Sequence, residues 1–120
     1  MADKDELGRA GEDRAARYLE TLGFTVLDRN WRASDGEIDI VAGSTDVLAV
    51  VEVKTRRSEG FGHPFEAIDA RKRRRLRRLA FAWLAAHPEA AQRRCLRIDA
   101  IGVTGPEPAD ARIEYIKDIA

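Results

Sequence analysis

The chain has 120 residues, 44% of them hydrophobic, which suits one domain over residues 1–120 with a single core. Cys95 is its only cysteine, which excludes an internal disulfide and a cysteine-rich zinc site and favours a reducing, cytoplasmic location. No apolar run approaches the roughly 20 residues that a membrane span needs, so we expect neither export nor a membrane partner.

The first predicted element is a helix that is capped by Asp3 or Asp5 and runs to about residue 22. Gly8 and Gly11 fall in its first turns, although a glycine weakens a helix by up to about 1 kcal/mol relative to alanine. Either a neighbouring backbone or ligand approaches closely there, or the end of the helix frays.

Strands and a second helix follow, separated by turn-forming residues. The predicted strands cover residues 24–30, 37–42, 47–54, 96–103 and 113–119, and the second helix runs from about residue 65 to residue 86. In the simplest arrangement the first three strands form a meander. The order αβββαββ predicts an α/β fold in which helices flank a mixed sheet.

Positive charge is concentrated in one stretch, although the 21 basic and 21 acidic residues cancel overall. Residues 54–78 contain ten basic side chains and three acidic ones. Such a stretch can face phosphates, so a neutral total does not exclude a nucleic-acid partner. The alternative is that the arginines of residues 71–78 form the solvated flank of a helix.

Two acidic clusters lie on neighbouring predicted strands, Glu37-Ile38-Asp39 and Glu52-Val53-Lys54. Both are embedded in apolar residues, where an unpaired charge is expensive to keep. Either a divalent metal or a mutual salt bridge must therefore compensate the carboxylates.

Side chains alternate between the two faces of a strand. The charged residues of both clusters therefore share one face if the numbers of directly opposed residues in the two strands sum to 91. Asp39 then lies opposite Glu52, and Glu37 lies opposite Lys54. Directly opposed Cβ atoms are about 5 Å apart, which lets two carboxylates hold one cation. The other face becomes apolar and consists of Ile38, Ile40, Val51 and Val53.

This register also separates the two explanations of the charge. A salt bridge between Glu37 and Lys54 would leave Asp39 and Glu52 as like charges facing each other, which is destabilising in a sheet. A bound cation removes that repulsion. Carboxylate ligands favour Mg²⁺ or Mn²⁺, with the Val53 carbonyl as a further ligand. Beside the metal, Lys54 would orient or help deprotonate an attacking water, or stabilise charge on a phosphate.

A larger set of residues resembles a known family. It comprises Gly8, Gly11-Glu12, Tyr18-Leu19, Gly23, Arg29-Asn30, Arg32, residues 36–42, residues 51–56, Gly62, Pro64, Lys72 and Arg97-Ile98-Asp99. These residues span nearly the whole chain and are similar to the YraN family of small bacterial proteins. That family resembles the PD-(D/E)xK nuclease superfamily, whose members include archaeal Holliday-junction resolvases. The resemblance implies a restriction-endonuclease-like core.

The superfamily pattern implies roles for individual residues. Asp39 fills its first acidic position, Glu52 fills the second, and Lys54 is the lysine. Glu12 matches an additional acid of resolvase-like members, which would hold a water beside the metal. The proline that often precedes the first acid is absent. The role of Glu37 stays open between a partner of Lys54 and an extra metal ligand.

Basic residues near this site are candidate nucleic-acid contacts. Arg56 and Arg57 directly follow the motif and are placed to contact a phosphate backbone. Lys72 begins the arginine-rich helix, where superfamily relatives place a basic residue towards the site; solvent exposure is the alternative. A helix turns about 100° per residue, so roughly half of this helix's arginines can reach phosphate, and Arg73 and Arg75 are the candidates.

Other polar and aromatic residues have simpler explanations. His63 lies in the predicted loop, and a lone loop histidine is more often structural than catalytic. Trp83 belongs to the apolar stripe of the second helix, whereas Trp31 lies in a polar turn and is open to stacking on unpaired bases. Arg97 and Asp99 share one face of a strand and predict an internal ion pair.

The function that these residues predict is a metal-dependent endonuclease that hydrolyses phosphodiester bonds in DNA, with branched, single-stranded or otherwise structured DNA as the favoured substrate. A homodimer would suit a junction substrate. Two alternatives stay open: a nucleic-acid-binding module on a nuclease-like fold that performs no catalysis, and a structural protein whose arginine-rich helix binds an acidic protein.

Overall fold

Two helices and five strands follow one another in the order that the sequence predicts. A computed structural model describes residues 4–58, 60, 65 and 68–120. The helices are α1 (Lys4–Thr21) and α2 (Ala70–Ala86), and the strands are β1 (Thr25–Ala33), β2 (Gly36–Gly43), β3 (Val47–Arg56), β4 (Cys95–Thr104) and β5 (Arg112–Ile116). Short 3-10 helices lie at Pro88–Ala91 and Pro108–Asp110.

All five strands join one sheet in chain order, from β1 at one edge to β5 at the other. Neighbouring strands are antiparallel except β3 and β4, which run parallel. A parallel pair needs a long crossover connection, and α2 lies in that connection. The predicted meander of the first three strands and the predicted mixed sheet are both confirmed.

The two helices pack on opposite faces of the sheet, so each face has its own apolar core. The α1 face contains Ala15, Leu19, Ile40, Ala42, Ala49, Val51, Val53, Ile101 and Val103. The α2 face contains Ile38, Val41, Leu48, Val50, Leu76, Leu79, Ala80, Trp83 and Ile98. Neither helix in the described part of the chain has an apolar stretch of the length that crossing a bilayer requires.

The predicted register of β2 with β3 is confirmed. Opposed residues, such as Ile40 and Val51, have numbers that sum to 91. Regular pairing stops at this pair. Beyond it, the Asp39 carboxylate accepts a 2.8 Å hydrogen bond from the Val53 backbone N–H. The two strands therefore separate at the acidic end of the hairpin, where a side chain takes the place of a backbone acceptor.

The predicted apolar face of β2 is wrong at one residue, because the strand changes face at Asp39. Ile40 packs on the α1 side, but Ile38 packs on the α2 side together with Trp31, its partner on β1. The same register places Asn30 opposite Asp39, and Asn30 has a left-handed φ of 53°. This backbone conformation, which asparagine adopts more readily than most residues, interrupts the regular alternation of side chains.

Some elements end at residues other than the predicted ones. α2 begins at Ala70 rather than near residue 65, because the Asp69 side chain accepts a 2.9 Å hydrogen bond from the Lys72 backbone N–H and caps the helix there. β1 continues past its predicted end, so Trp31 is a half-buried strand residue and its predicted place in a polar turn is wrong. His63 lies outside the described residues.

Gly11 allows α1 to lie directly against β3. A Cβ atom at this position would overlap the Thr55 side chain and would lie 2.9 Å from the Thr55 Cβ atom itself. Gly8 differs, since no other described residue has a heavy atom within 4 Å of a Cβ placed there. The close approach of a neighbour is therefore confirmed for Gly11, and packing within the described chain does not explain Gly8.

These two glycines predict opposite effects of one substitution. Gly11→Ala should lower the free energy of unfolding by about 1–3 kcal/mol, because rotation of the short Thr55 side chain cannot clear the overlap. Gly8→Ala should raise it by about 0.5–1 kcal/mol, because alanine favours the helix and meets no neighbouring atom of the described residues. Urea denaturation in EDTA measures both values. Equal effects of the two substitutions would contradict this packing of α1 on β3.

Candidate metal centre

Carboxylates from three elements meet at the end of the sheet where β2 and β3 separate. Glu12 comes from α1, while Glu37 and Asp39 come from β2, and one oxygen of each lies within 4.8 Å of the other two. Glu52 of β3 lines a cleft of about 330 Å³ together with Glu37 and Asp39. Helix α1 reaches this acidic group because Gly11, the residue before Glu12, brings it against β3.

Glu52 is buried and is paired with two lysines. Only 4% of its surface is exposed, and its Oε2 lies 3.4 Å from Lys54 Nζ and 3.0 Å from Lys72 Nζ. Lys54 lies two residues further along β3 and therefore points to the same face of the sheet. Lys72 comes from the first turn of α2, which covers that face. Of the two orientations considered for Lys72, the structure has the one towards the site.

Asp39 occupies a position that disfavours its negative charge. Burial and the neighbouring Glu52 carboxylate raise the pKa of Asp39 to about 8, although the hydrogen bond from the Val53 N–H opposes this shift. The folded chain therefore keeps the protonated form of the Asp39 carboxyl up to a higher pH than the unfolded chain does. The repulsion between Asp39 and Glu52, which the predicted register implies, is thus one cause of the raised pKa.

Glu12 is held by β1 as well as by its own helix. Asn30 hydrogen-bonds to its side chain, and Arg29 Nη2 lies 3.9 Å from its Oε1. Burial raises the pKa of Glu12, although both of these partners oppose the shift. Neither Asn30 nor Arg29 is predicted as a site residue. An asparagine inside a strand is the signal that would have indicated the first of them, because it tolerates left-handed backbone and is rare in strands.

Glu37 pairs with Arg32 and not with Lys54, although a partner of Lys54 is one of the two roles left open for it. The Arg32 Nε lies 3.1 Å from the Glu37 Oε2 across the β1–β2 pair. The physical reason is the change of face at Asp39, which turns Glu37 towards Glu12 on the α1 side of the sheet. Of the two roles left open for Glu37, this position fits the extra metal ligand.

The oxygen atoms of the acidic group suit a hard divalent cation. Mg²⁺ bonds of about 2.1 Å place adjacent ligand oxygens about 3 Å apart and opposite ones about 4.2 Å apart. The oxygens of Glu12, Glu37 and Asp39 lie within 4.8 Å of one another, close to that spacing. This set differs from the predicted pair of Asp39 and Glu52, because lysines engage Glu52. The Val53 carbonyl faces β2 as its N–H does, so it stays a candidate ligand.

Two clefts adjoin the acidic group, and Lys54 lines both of them. Other basic side chains line each cleft. Arg73 lies apart from them, since its Nη1 donates a 3.4 Å hydrogen bond to the Ile68 carbonyl. The other four predicted nucleic-acid contacts line the clefts: Lys72 and Arg75 beside Asp39, and Arg56 and Arg57 in a second cleft of about 520 Å³.

Two predictions for residues away from this group are confirmed. Arg97 Nε donates a 2.9 Å hydrogen bond to the Asp99 carboxylate, which also accepts hydrogen bonds from the Tyr115 hydroxyl and the Asp118 backbone N–H. Trp83 is a core residue with 2% of its surface exposed. These residues stabilise the fold and lie outside the acidic group.

The raised pKa of Asp39 predicts a pH dependence of stability. This carboxyl titrates near its ordinary value of 3.8 in the unfolded chain and at about 8 in the folded chain, so between these values the folded state holds an extra proton. The contribution of this proton to the free energy of unfolding is fully present below about pH 4 and is lost as the pH rises towards about 8.

Asp39→Asn removes that contribution. Relative to the wild type, the free energy of unfolding of this variant in EDTA should increase by on the order of 2 kcal/mol between about pH 5 and about pH 8. Urea denaturation curves at the two pH values measure the change, and Glu20→Gln, which removes an exposed charge near the end of α1, is the matched control. A constant difference between Asp39→Asn and the wild type would show that Asp39 is not the titrating group.

Comparison with known proteins places the chain in a family. Residues 11–103 match the family described as "Uncharacterised protein family UPF0102". A UPF0102 protein of Arthrobacter sp. (strain FB24) is 47% identical over 119 residues, which cover 99% of both chains. A UPF0102 protein of Paenarthrobacter aurescens (strain TC1) is 49% identical over 99% of this chain and 97% of its own. The chain therefore belongs to the UPF0102 family, which is the YraN family that its motifs resemble.

Proposed function

We propose that this protein is a metal-dependent endonuclease that hydrolyses phosphodiester bonds in DNA. The observation that carries this proposal is the convergence of acids from three elements beside one cationic cleft: Glu12, Glu37, Asp39 and Glu52, with Lys54. Salt bridges alone do not account for this group of acids, because the negative charge of Asp39 stays disfavoured although lysines pair with Glu52. The observed order of helices and strands is the αβββαββ order that the sequence predicts, and it is compatible with the nuclease-like core that the resemblance implies.

In the proposed reaction, a water oxygen attacks the phosphorus atom and the bond to one bridging oxygen breaks on the opposite side. The water loses a proton and the departing oxygen gains one, so the products are a phosphomonoester and a hydroxyl group. A divalent cation, when bound, would supply positive charge at the phosphate and would make water a better nucleophile at neutral pH. Glu12, Glu37 and Asp39 would hold that cation. Glu52 fixes Lys54 through their 3.4 Å ion pair, so that the ammonium group stays in the cleft and can donate to a phosphate oxygen.

The first turn of α2 supports an anionic substrate. Arg71, Lys72 and Arg73 follow one another there, and no acidic residue occupies the turn. Positive side chains at a helix N-terminus are unfavourable by roughly 0.3–1 kcal/mol each, because the backbone N–H groups are also positive. The Asp69 cap and Glu52 offset part of this cost. A phosphate backbone in the neighbouring cleft would offset more of it.

Cleavage of labelled DNA tests the proposal directly. A four-way junction, a single strand and a duplex of equal length are incubated with Mg²⁺ or Mn²⁺. Asp39→Asn and Glu52→Gln should each lower the cleavage rate by roughly 100-fold or more, because each removes charge that positions the cation or Lys54. Glu12→Gln should lower it too, whereas Glu20→Gln, which removes an exposed acid about two turns further along α1, should leave it nearly unchanged.

Two results would reject the proposed endonuclease. The first is cleavage that persists in both Asp39→Asn and Glu52→Gln while circular dichroism shows that each is folded, since a contaminating enzyme must then be responsible. The second is the absence of cleavage of all three DNA substrates with either metal ion.

Metal titration distinguishes the two possible ligand sets. In calorimetric titrations with Mn²⁺, Glu37→Gln should weaken binding by about tenfold or more, because it removes one of the clustered oxygens. Asp35→Asn is the matched control, since Asp35 lies two residues earlier and pairs with Arg78 on the surface. Unchanged affinity in Glu37→Gln, together with loss of binding in Glu52→Gln, would instead support the pair of Asp39 and Glu52.

A nucleic-acid-binding module without catalysis is the second candidate function. The observation that favours it is the pairing of Glu52 with both Lys54 and Lys72, which leaves Glu52 less available to a cation. In that case DNA binding falls steeply with salt, and no metal ion supports cleavage. Neutralising exposed arginines of α2 should then weaken binding to junction, single strand and duplex alike; the variants are Arg74→Gln, Arg75→Gln and Arg77→Gln.

A further inference from the structure

A second cleft lies on the α1 side of Lys54, next to the acidic group. It has a volume of about 520 Å³, within the range of roughly 300–1,000 Å³ typical of sites for small organic ligands. Its lining includes Leu7, Gly8, Glu12, Lys54, Arg56 and Arg57. Glu12 belongs to the acidic group and Lys54 lines both clefts, so a ligand in this cleft would adjoin the candidate metal centre.

Gly8 is the feature of this cleft that the fold does not explain. It lies inside α1, where glycine costs helix stability, and its φ is not left-handed. A Cβ atom at Gly8 would meet no other described residue within 4 Å, whereas the lack of a side chain at Gly11 is required by Thr55. The glycine therefore enlarges the cleft without serving the packing of the described chain.

The side chains around this space match the parts of a nucleotide. Lys54, Arg56 and Arg57 supply positive charge for a phosphate group, and Glu12 is the one acid among the described residues of the lining. Leu7 and Gly8, both partly buried, belong to a lining that is mainly apolar, and a flat base can lie against it. A free phosphate or a metal ion would use only the charged part of this lining.

A base within a duplex cannot enter such a cleft, because it is paired on one edge and stacked on both faces. An unpaired nucleotide can be turned away from its neighbours at little cost, and aromatic or apolar surfaces then accept its face. The shape of the cleft thus favours DNA that has an unpaired nucleotide beside the phosphate at the acidic group.

We propose that the cleft around Gly8 binds one unpaired nucleotide of a DNA strand, with its phosphate held by Arg56 and Arg57. The choice of a nucleic acid as ligand rests on the proposed function. The cleft then selects single-stranded or branched DNA over a continuous duplex, and Gly8 is the residue that leaves room for the base.

Fluorescence anisotropy in EDTA tests this site without any cleavage. The probes are a labelled oligothymidylate and a labelled duplex of the same length. The wild type should bind the single strand more tightly. Gly8→Leu should weaken single-strand binding by about tenfold or more, because it fills the space of one base, and should change duplex binding much less. Ala85→Leu, which adds the same side chain on an exposed position of α2, is the matched control.

Gly8→Ala keeps the test valid if Gly8→Leu disturbs the helix. It should raise the stability of the protein and yet weaken single-strand binding, a combination that damage to the fold cannot produce. Single-strand affinity equal to the wild type in both Gly8 variants overturns this proposal, even if the wild type cleaves DNA. Weakened binding in the Gly8 variants supports the cleft, even if the wild type cleaves none of the substrates and the proposed nuclease activity is rejected.

Discussion

The repulsion between Asp39 and Glu52 is the constraint around which the site is arranged. The register of β2 with β3 brings the two carboxylates together, and burial prevents water from screening them. Two lysines pair with Glu52, and the raised pKa of Asp39 favours its protonated form, so each carboxylate has its own compensation. Because Lys72 belongs to α2, the charge of β3 also helps to dock that helix on the sheet. A cation at the acidic group would be a third compensation, in competition with the proton.

The side chains of β2 switch from one face of the sheet to the other at Asp39, and this switch decides which residues can contact Asp39 and Glu52. A regular strand offers alternate side chains to α1 and to α2, and these helices lie on opposite faces of the sheet. Opposite the left-handed Asn30, β2 departs from that alternation and turns Glu37 towards Glu12. Acids on the α1 side and lysines on the α2 side thereby meet at the end of the sheet where β2 and β3 separate, and Gly11 sets how closely α1 approaches it.

Local patterns were sufficient to predict the elements and the β2–β3 register, because a slip of one residue would carry every apolar side chain to the wrong face. They were not sufficient for Ile38 and Glu37, whose directions depend on the backbone of Asn30 in another strand. The contact of Lys72 with Glu52 depends on where α2 begins and how it docks, which residue spacing within the helix does not contain. The sequence thus predicts which acids lie close together. It does not predict which of them pair with lysines and which are left to bind a cation.

A second buried carboxylate in the same chain shows how Asp39 differs from a structural acid. Asp99 is fully buried and accepts hydrogen bonds from Arg97, from the Tyr115 hydroxyl and from a backbone N–H, so its charge is well compensated. Asp39 has one backbone N–H and a like-charged neighbour instead. Three other features of this end of the sheet also lower stability. They are the left-handed backbone of Asn30, the position of Gly8 within α1 and the basic first turn of α2. Natural sequences keep such unfavourable choices together where a site needs them, so their clustering supports the proposal that this end of the sheet is a functional site.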